Sequence, residues 1–131
     1  MSEQAANQST ANLVEKPAET GSGKPPVTYD DFAKLELRVA KVLAAREHPN
    51  ANKLLLLEIE VGSVRKQIVA GIRGHYTPED LVGRLIVVVN NLEPATIRGE
   101  QSYGMLLAAS DGTSVILLRP DKECASGSGV K

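Results

Sequence analysis

The chain carries the sequence NNLEPATIRGEQSYGMLLAA at residues 90–109, and this stretch joins two apolar runs through a polar segment. The first run, LIVVV, occupies residues 85–89, and the second, MLLAA, occupies residues 105–109. Short apolar runs of this kind predict two buried strands flanking a long polar connection. Because a connection of this length in a compact domain is unusual unless it has a function or structure of its own, we interpret it as a binding loop.

Length and charge limit what the rest of the chain can be. Its 131 residues, 42% of them hydrophobic, suffice for one small domain with polar ends. The 15 basic and 16 acidic residues give a net charge of −1, and from Thr28 onward the two signs balance. This balance is unlike that of a strongly electrostatic nucleic-acid binder. A polyanionic partner would therefore have to meet a local basic patch.

The cellular compartment is inferred from what the sequence contains. Cys124 is the single cysteine, so a disulfide framework is excluded and a reducing compartment is favoured. The N-terminus lacks the pattern of a signal peptide, and no apolar run approaches the ~18 residues that span a bilayer. We expect a cytoplasmic protein with no membrane partner.

Residues 1–27 differ in composition from the remainder. They are rich in Ser, Ala, Gln, Asn, Glu, Gly and Pro, and they end in GSGKPPV. Such a composition buries too little apolar surface to offset the entropy of ordering. We expect residues 1–27 to form a disordered tail or linker, and residues 28–131 to form the domain.

The domain begins with a helix and a bent strand. Thr28 is a good N-cap for a short helix that ends near residue 34. From residue 35 the sequence alternates, with Leu35, Leu37 and Val39 on one face, until residues 42–43 break the phase. An alternation that slips in this way predicts a strand with a bulge or sharp bend, as a small barrel needs at a corner.

The elements that follow are separated by recognisable turns. His48 and Pro49 open a turn at residues 48–53, Thr77 and Pro78 start a short helix that ends near Gly83, and Asp-Gly at 111–112 makes a hairpin turn. Strands are predicted at residues 54–61, 65–72, 84–89, 105–110 and 114–118, and residues 127–129 look like a loop.

This order predicts the fold class. Three strands, a short helix and two further strands within about a hundred residues are the order of an oligonucleotide/oligosaccharide-binding (OB) barrel. We predict an all-β protein: a five-stranded OB-fold barrel with short helices and a C-terminal β extension. Ligands of this fold bind strands two and three and the loops 1–2 and 4–5, which correspond here to residues 48–53 and 90–104.

Catalysis finds little support in the sequence. It contains no Ser/His/Asp arrangement, no glycine-rich phosphate loop and no HExxH or CxxC metal spacing, so neither a catalytic site nor a metal or other cofactor is predicted. His48 and His75 each lie beside turn residues, and we interpret both as solvated loop histidines. Cys124 has no activating neighbour in sequence and is interpreted as an incidental thiol.

An RNA partner is better supported. Lys and Arg contact phosphates, while Asn and Ser can read base edges. Residues of these types lie in or beside the two loops and on the first strand: Arg38, Asn52, Lys53, Arg73, Asn91 and Arg98. Aromatic content of only 3% argues against a general single-strand binder, which relies on stacking. A folded RNA recognised by shape and a few exposed bases fits better, with Tyr76, Tyr103 and Met105 near the expected surface.

Several motifs, taken together, resemble a known family. DFAK at 31–34, LRV at 37–39, HP…KL at 48–54, IVAGI at 68–72, NLEP at 91–94 and SYGM at 102–105 resemble, in order, those of the tRNA-binding domain family. That family includes the C-terminal appendage of bacterial methionyl-tRNA synthetase and free-standing tRNA-binding proteins. The resemblance implies an OB fold, structure-specific tRNA binding, homodimerisation and a methionyl-tRNA synthetase catalytic region as partner in cis or in trans.

The resemblance also implies site residues and alternatives. It implies RNA contacts from Arg38, Asn52, Lys53, Arg73, Asn91, Arg98, Ser102 and Met105. Two departures reduce the local positive potential: Glu93 stands where the family often has Lys, and Ala95 and Thr96 stand where basic residues are common. Two other functions stay open, a secretion-type protein chaperone of a sister branch and a dimerisation unit with vestigial RNA binding.

Overall fold

The computed structural model describes residues 23–131, so the predicted tail lies almost wholly outside the described residues. Two short helices and ten strands follow one another in these residues. They are α1 (Tyr29–Ala33), β1 (Leu37–Glu47), β2 (Leu55–Val61), β3 (Val64–Ala70), α2 (Pro78–Leu81), β4 (Leu85–Val89), β5 (Ala95–Ile97), β6 (Glu100–Ser102), β7 (Met105–Leu106), β8 (Ala108–Ser110), β9 (Val115–Leu117) and β10 (Gly129–Val130).

Strand β1 organises the main sheet, whose order is β3-β2-β1-β4-β7 with β10 also paired to β1. The first part of β1, from Leu37 to Lys41, pairs antiparallel with β4. Its second part, from Lys41 to Glu47, pairs with β2, and the register shifts between Val42 and Ala44. The predicted bend is therefore confirmed by this register shift. The bend lets one strand pair on two sides of a curled sheet.

The sheet curls far enough for β3 to meet the segment that follows β6. The Tyr103 amide donates to the carbonyl of Gln67 at 2.9 Å. The Ser102 hydroxyl oxygen accepts from the Val69 amide at 2.9 Å, and the hydroxyl donates to the Gly104 carbonyl at 2.9 Å. These bonds join β3 to the end of the long connection. The predicted all-β, OB-like class is confirmed.

The core lies inside this curl. Its fully buried large side chains include Leu55, Leu57 and Ile59 of β2, with Ile68 and Ile86 from the neighbouring strands. Every second residue of β2 from Leu55 to Val61 is buried in the core, whereas Leu56 is buried outside it and Glu58 is exposed. The sheet is thus held by aliphatic side chains, whose burial is the main stabilising contribution in a domain of this size.

Strand β1 differs from its predicted face. The alternation grouped Leu35, Leu37 and Val39, but β1 contributes Ala40 and Val42 to the core, while Leu35 is 47% exposed. Val39 is buried outside the core cluster, and its backbone bonds to Gly127 and Ser128. Because the surroundings of this part of β1 come from the distant C-terminus, local alternation does not report them.

The long connection carries its own structure. Strands β5 and β6 pair as a hairpin around a two-residue turn, Arg98-Gly99, with Ile97 opposite Glu100. The strand predicted at residues 105–110 is divided into β7 and β8, which pair with different partners, β4 and β9. The interpretation of residues 127–129 as a loop is wrong at its end, since Gly129 of β10 pairs with Arg38.

The helix caps and the hairpin turn follow the sequence signals. The Thr28 and Thr77 side chains accept from the amides of Asp31 and Asp80, as predicted for N-caps. In the turn between β8 and β9, Asp111 Oδ1 accepts from the amides of Thr113 at 3.0 Å and Ser114 at 2.8 Å. These backbone hydrogen bonds lower the pKa of Asp111 to about 2.

Candidate nucleic-acid interface

Loop 48–53 and the β5–β6 hairpin are held together by two hydrogen bonds. The Arg98 Nη2 group donates to the Asn50 carbonyl at 3.0 Å, and His48 Nε2 lies 3.0 Å from the Ile97 carbonyl. Because His48 Nδ1 accepts from the Asn50 amide at 2.9 Å, Nε2 carries the proton and donates to Ile97. We call this pair of bonds, His48 to Ile97 and Arg98 to Asn50, the loop clasp.

The position of His48 corrects the expectation from the sequence. It was predicted to be a solvated loop histidine, but it is 2% exposed, and both ring nitrogens are hydrogen-bonded. The hairpin that covers it comes from about fifty residues further along the chain, so its turn-like neighbours gave no signal of burial. His48 is a structural link between the two predicted binding loops.

Arg98 occupies a strained position at the hairpin tip. Its φ of 55° makes it the only non-glycine residue with positive φ among the described residues, and Gly99 follows at 93°. Positive φ at both positions is the conformation that two-residue hairpin turns favour, but Asn-Gly or Gly-Gly is the usual sequence there. A left-handed conformation costs an ordinary L-residue about 1–2 kcal/mol. The chain keeps an arginine at this position despite that cost.

Arg73 approaches the same loop from β3. Its Nη1 donates to the Ala51 carbonyl at 3.1 Å, and its Nη2 pairs with Glu47 Oε1 at 2.9 Å. The Arg73 amide also donates to the Lys53 carbonyl at 3.3 Å. Loop 48–53 is therefore held by one guanidinium from the hairpin and one from the end of β3. Asn52 and Lys53, which the sequence also predicted as contacts, are exposed on this loop.

Two predicted contacts lie elsewhere, near the start of β1. Arg38 donates to Glu36 Oε2 at 3.0 Å and to the Gly127 carbonyl at 2.9 Å. Asn91 accepts from the Glu36 amide at 2.8 Å and donates to the Lys34 carbonyl at 2.8 Å. These side chains hold the C-terminal segment and the end of α1. Any RNA contact that Arg38 and Asn91 make is therefore separate from those at loop 48–53.

Ser102 and Met105 flank the bend that closes the sheet. Ser102 is only 3% exposed, and its hydroxyl is used in the closing hydrogen bonds described above. Its side chain therefore positions the neighbouring residues and exposes little surface. Met105, by contrast, is 45% exposed at the start of β7, so it can touch a partner.

A groove brings Tyr103 together with residues that the sequence did not indicate as contacts. It has a volume of about 430 Å³, and we call it the Tyr103 groove. It is lined by Arg65, Lys66, Gln67, Asn90, Leu92, Pro94 and Tyr103. Arg65 and Lys66 lie on the third strand, where OB folds bind ligands, and that position was the available signal. Gln67 joins the hairpin to β3 by donating to the Gln101 carbonyl at 2.9 Å.

Charged groups at one side of the groove form a network. Glu36 accepts from Asn90 Nδ2 at 3.1 Å and from Arg38, and these hydrogen bonds lower its pKa. Lys66 Nζ donates to the Asn90 carbonyl at 3.0 Å. Partial burial lowers the pKa of Lys66, and the negative charge of Glu36 opposes that shift. The Lys66 ammonium is thus partly desolvated at the groove wall.

Within residues 23–131, no group of three or more His, Cys, Asp or Glu side chains could hold a metal ion. None of the helices in this part of the chain is long and apolar enough to cross a membrane.

Comparison with known proteins identifies the class. A family model described as "Putative tRNA binding domain" matches residues 37–129. The chain belongs to this tRNA-binding domain family, as its motifs suggested.

Curated relatives include methionine–tRNA ligases. The chain is 55% identical to the enzyme of Thermotoga maritima over 104 residues, which are 79% of the chain and 16% of that enzyme. It is 47% identical to the enzyme of Thermococcus kodakarensis over 105 residues, 80% of the chain and 14% of the enzyme. The chain therefore spans a small part of the length of these relatives.

Two solved structures of similar fold match this chain over their whole length. A MetRS related protein from Pyrococcus horikoshii matches with a TM-score of 0.77 and 30% identity, covering 82% of the chain and 100% of that protein. The chaperone CsaA of Bacillus anthracis matches with a TM-score of 0.75 and 34% identity over 82% of the chain and 100% of that protein.

Proposed function

We propose that this chain is a non-catalytic, structure-specific tRNA-binding module that raises the tRNA affinity of a methionyl-tRNA synthetase, in cis or in trans. One observation carries the proposal: two guanidinium groups, of Arg73 and Arg98, converge on loop 48–53, which also presents Lys53. Membership of the tRNA-binding domain family and the similarity to methionine–tRNA ligases support it.

The charge balance sets the expected strength of binding. Phosphate neutralisation supplies most nonspecific affinity for nucleic acids, and only a few cations surround the loop clasp. We expect weak, salt-sensitive binding by the isolated chain. Attachment to a synthetase makes such binding useful, because tethering converts a weak contact into a high effective concentration of tRNA.

Substitution of Lys53 and Arg98 tests this proposal. We expect Lys53→Ala with Arg98→Ala to weaken tRNA binding at least about tenfold and to reduce the slope of log K against log salt by about 2. Lys122→Ala is the matched control, because Lys122 is exposed beside Gly83 and Arg119, in another depression of the surface. Equal tRNA affinities for the double variant and the control would contradict the proposal.

We also propose that two copies associate through the face of α1. Tyr29 is 75% exposed, Phe32 39% and Leu35 47%, and these side chains line one depression of about 480 Å³ together with Gly129 and Val130 of β10. Exposed apolar clusters of this kind mark interaction sites. The homodimerisation that the family resemblance implies favours a second copy as the occupant.

Sedimentation of variants tests the dimer independently of RNA. Tyr29→Ser with Leu35→Ser should shift the chain from dimer to monomer, whereas Val64→Ser, at a position 55% exposed on β3, should leave the mass unchanged. A monomeric wild type, or a dimer that survives the double substitution, would overturn this part of the proposal.

A protein chaperone is the second candidate, supported by the similarity to CsaA over the whole length of that chaperone. The two functions differ in whether they require Lys53 and Arg98. If the chain is a chaperone without a tRNA role, it should suppress aggregation of an unfolded client equally well with Lys53 and Arg98 substituted, and it should bind tRNA no better than unstructured RNA.

A further inference from the structure

The Tyr103 groove combines exposed apolar side chains with cations. Tyr103 is 41% exposed and Leu92 is 43% exposed, and Pro94 lies between them in sequence and lines the same groove. Large apolar side chains are usually buried, so a cluster that lines a groove is informative. The groove volume of about 430 Å³ falls within the range of small-ligand sites.

The cations of the groove are placed beside this apolar surface. Lys66 uses one of its three donors on the Asn90 carbonyl at 3.0 Å, so other donors of the ammonium can reach a ligand. Arg65, on the same strand, lines the groove and is exposed. An aromatic ring beside cations suits a nucleotide, whose base stacks on a ring while its phosphate pairs with a cation.

The position of Tyr103 is fixed before any ligand binds. Its amide donates to the Gln67 carbonyl at 2.9 Å, and the preceding residue, Ser102, is tied to Val69 and Gly104. A side chain on Gly104 would place Cβ 3.0 Å from the Val89 carbonyl oxygen, so the backbone passes close to β4 there. A rigidly held platform loses little entropy on binding.

We propose that the Tyr103 groove is a nucleobase subsite in which one unstacked base of the RNA stacks on Tyr103 against Leu92 and Pro94, with its phosphate at Lys66 and Arg65. This inference rests on the proposed tRNA-binding function and names the base-binding part of the interface. The cations around loop 48–53 supply contacts to phosphates, while this groove supplies the contact to a base exposed by the fold of the RNA.

Replacement of Tyr103 separates stacking from charge. Titration of total tRNA should show that Tyr103→Ala weakens binding about tenfold, because stacking on one aromatic ring contributes that much. Its salt slope should equal that of the wild type, since no cation is removed. Tyr103→Phe should bind as the wild type does, because it keeps the ring. Ile116→Ala is the control, as Ile116 is 46% exposed on β9 and lines neither this groove nor the α1 depression.

A second variant and a cross-linking experiment test the subsite even if Tyr103→Ala misfolds. Leu92→Ser alters another lining residue of the groove and should also weaken tRNA binding without a change of salt slope. Ultraviolet irradiation of the wild type with tRNA should join RNA to the peptide that contains Tyr103. Cross-linking there, together with the loss in Tyr103→Ala, supports the subsite.

The outcomes distinguish the subsite from the function on which it rests. If the wild type binds tRNA and Tyr103→Ala and Leu92→Ser bind equally well, the groove proposal is overturned and the tRNA-binding proposal stands. A loss in Tyr103→Phe as large as in Tyr103→Ala would overturn stacking. If the wild type binds tRNA no more tightly than unstructured RNA, the proposed function fails and the subsite fails with it.

Discussion

His48 is the residue on which the relation between the two loops depends. Its imidazole accepts from the Asn50 amide and donates to the Ile97 carbonyl, so it joins loop 48–53 to the β5–β6 hairpin. A buried side chain with two such bonds defines a geometry that exposed cations alone could not maintain. His48 thereby helps to set the position of Arg98 in the hairpin relative to Lys53 in the loop.

Removal of His48 should therefore affect stability and binding together. We expect His48→Ala to lower the free energy of unfolding by about 1–3 kcal/mol, because it removes the hydrogen bonds to the Asn50 amide and the Ile97 carbonyl. Weaker tRNA binding should accompany this loss. Urea denaturation and tRNA titration measure the two effects. His75→Ala is the control, and a change no larger than that of His75→Ala would contradict the role assigned to His48.

Arg98 shows a conflict between stability and binding. Its left-handed conformation is unfavourable for arginine and favourable for glycine. Arg98→Gly should be more stable than Arg98→Ala by about 1 kcal/mol, because both lack the guanidinium and only alanine keeps the strain. Both should bind tRNA equally weakly. Thermal unfolding and tRNA titration test this, and equal stabilities of the two variants would show that the turn is not strained.

At the scale of elements, the C-terminal segment completes the sheet through one close contact. Gly127 has a φ of +90°, and a Cβ at this position would lie 2.8 Å from the Cα and nitrogen of Gly62. Ser126 reinforces the approach, since its hydroxyl oxygen accepts from the Gly62 amide at 2.9 Å. The two glycines let the segment cross the β2–β3 turn and continue into β10.

Substitution of Gly127 should detach this segment. We expect Gly127→Ala to destabilise the protein by about 2 kcal/mol, since both the positive φ and the contact with Gly62 oppose a side chain. Amide hydrogen exchange should increase at Val39 and Val130 first. Gly129→Ala is the control, because nothing lies within 4 Å of a Cβ there. Similar protection in both variants would contradict the close contact.

The β8–β9 hairpin should respond to acid through Asp111. Its pKa is lowered to about 2 in the folded protein from an ordinary value of 3.8, so the carboxylate stabilises the fold above pH 3.8. That contribution falls as the pH drops from 3.8 towards 2. Asp111→Asn keeps an acceptor oxygen and lacks the charge, so the stability difference between wild type and variant should shrink over that range. Denaturation at pH 6, 4, 3 and 2 tests this, and a constant difference would contradict it.

At the scale of the whole molecule, local signals predicted the elements but not their long-range partners. The caps at Thr28 and Thr77, the bend of β1 and the Asp111 turn depend on neighbouring residues, and all four were predicted. The burial of His48 and the pairing of Gly129 with Arg38 depend on segments far away in sequence, which a single sequence does not report.

The predicted site divides in the same way. Cations and amides near turns were found by residue type, and the structure brings Asn52, Lys53, Arg73 and Arg98 together around one loop. Arg38 and Asn91 instead hold neighbouring segments. The Tyr103 groove as a whole was missed because its residues come from three stretches of chain, around residues 65–67, 90–94 and 103, that only the closed sheet brings together. Residue types indicate chemistry, whereas the fold decides which of them share a surface.

The most direct test of tRNA recognition is a titration of the purified chain with total tRNA and with unstructured single-stranded RNA of similar length, at low and physiological salt. The proposed function predicts tighter binding to tRNA at both salt concentrations, with a modest negative salt slope. Equal affinity for the two RNAs, or no binding even at low salt, would contradict a structure-specific tRNA-binding module.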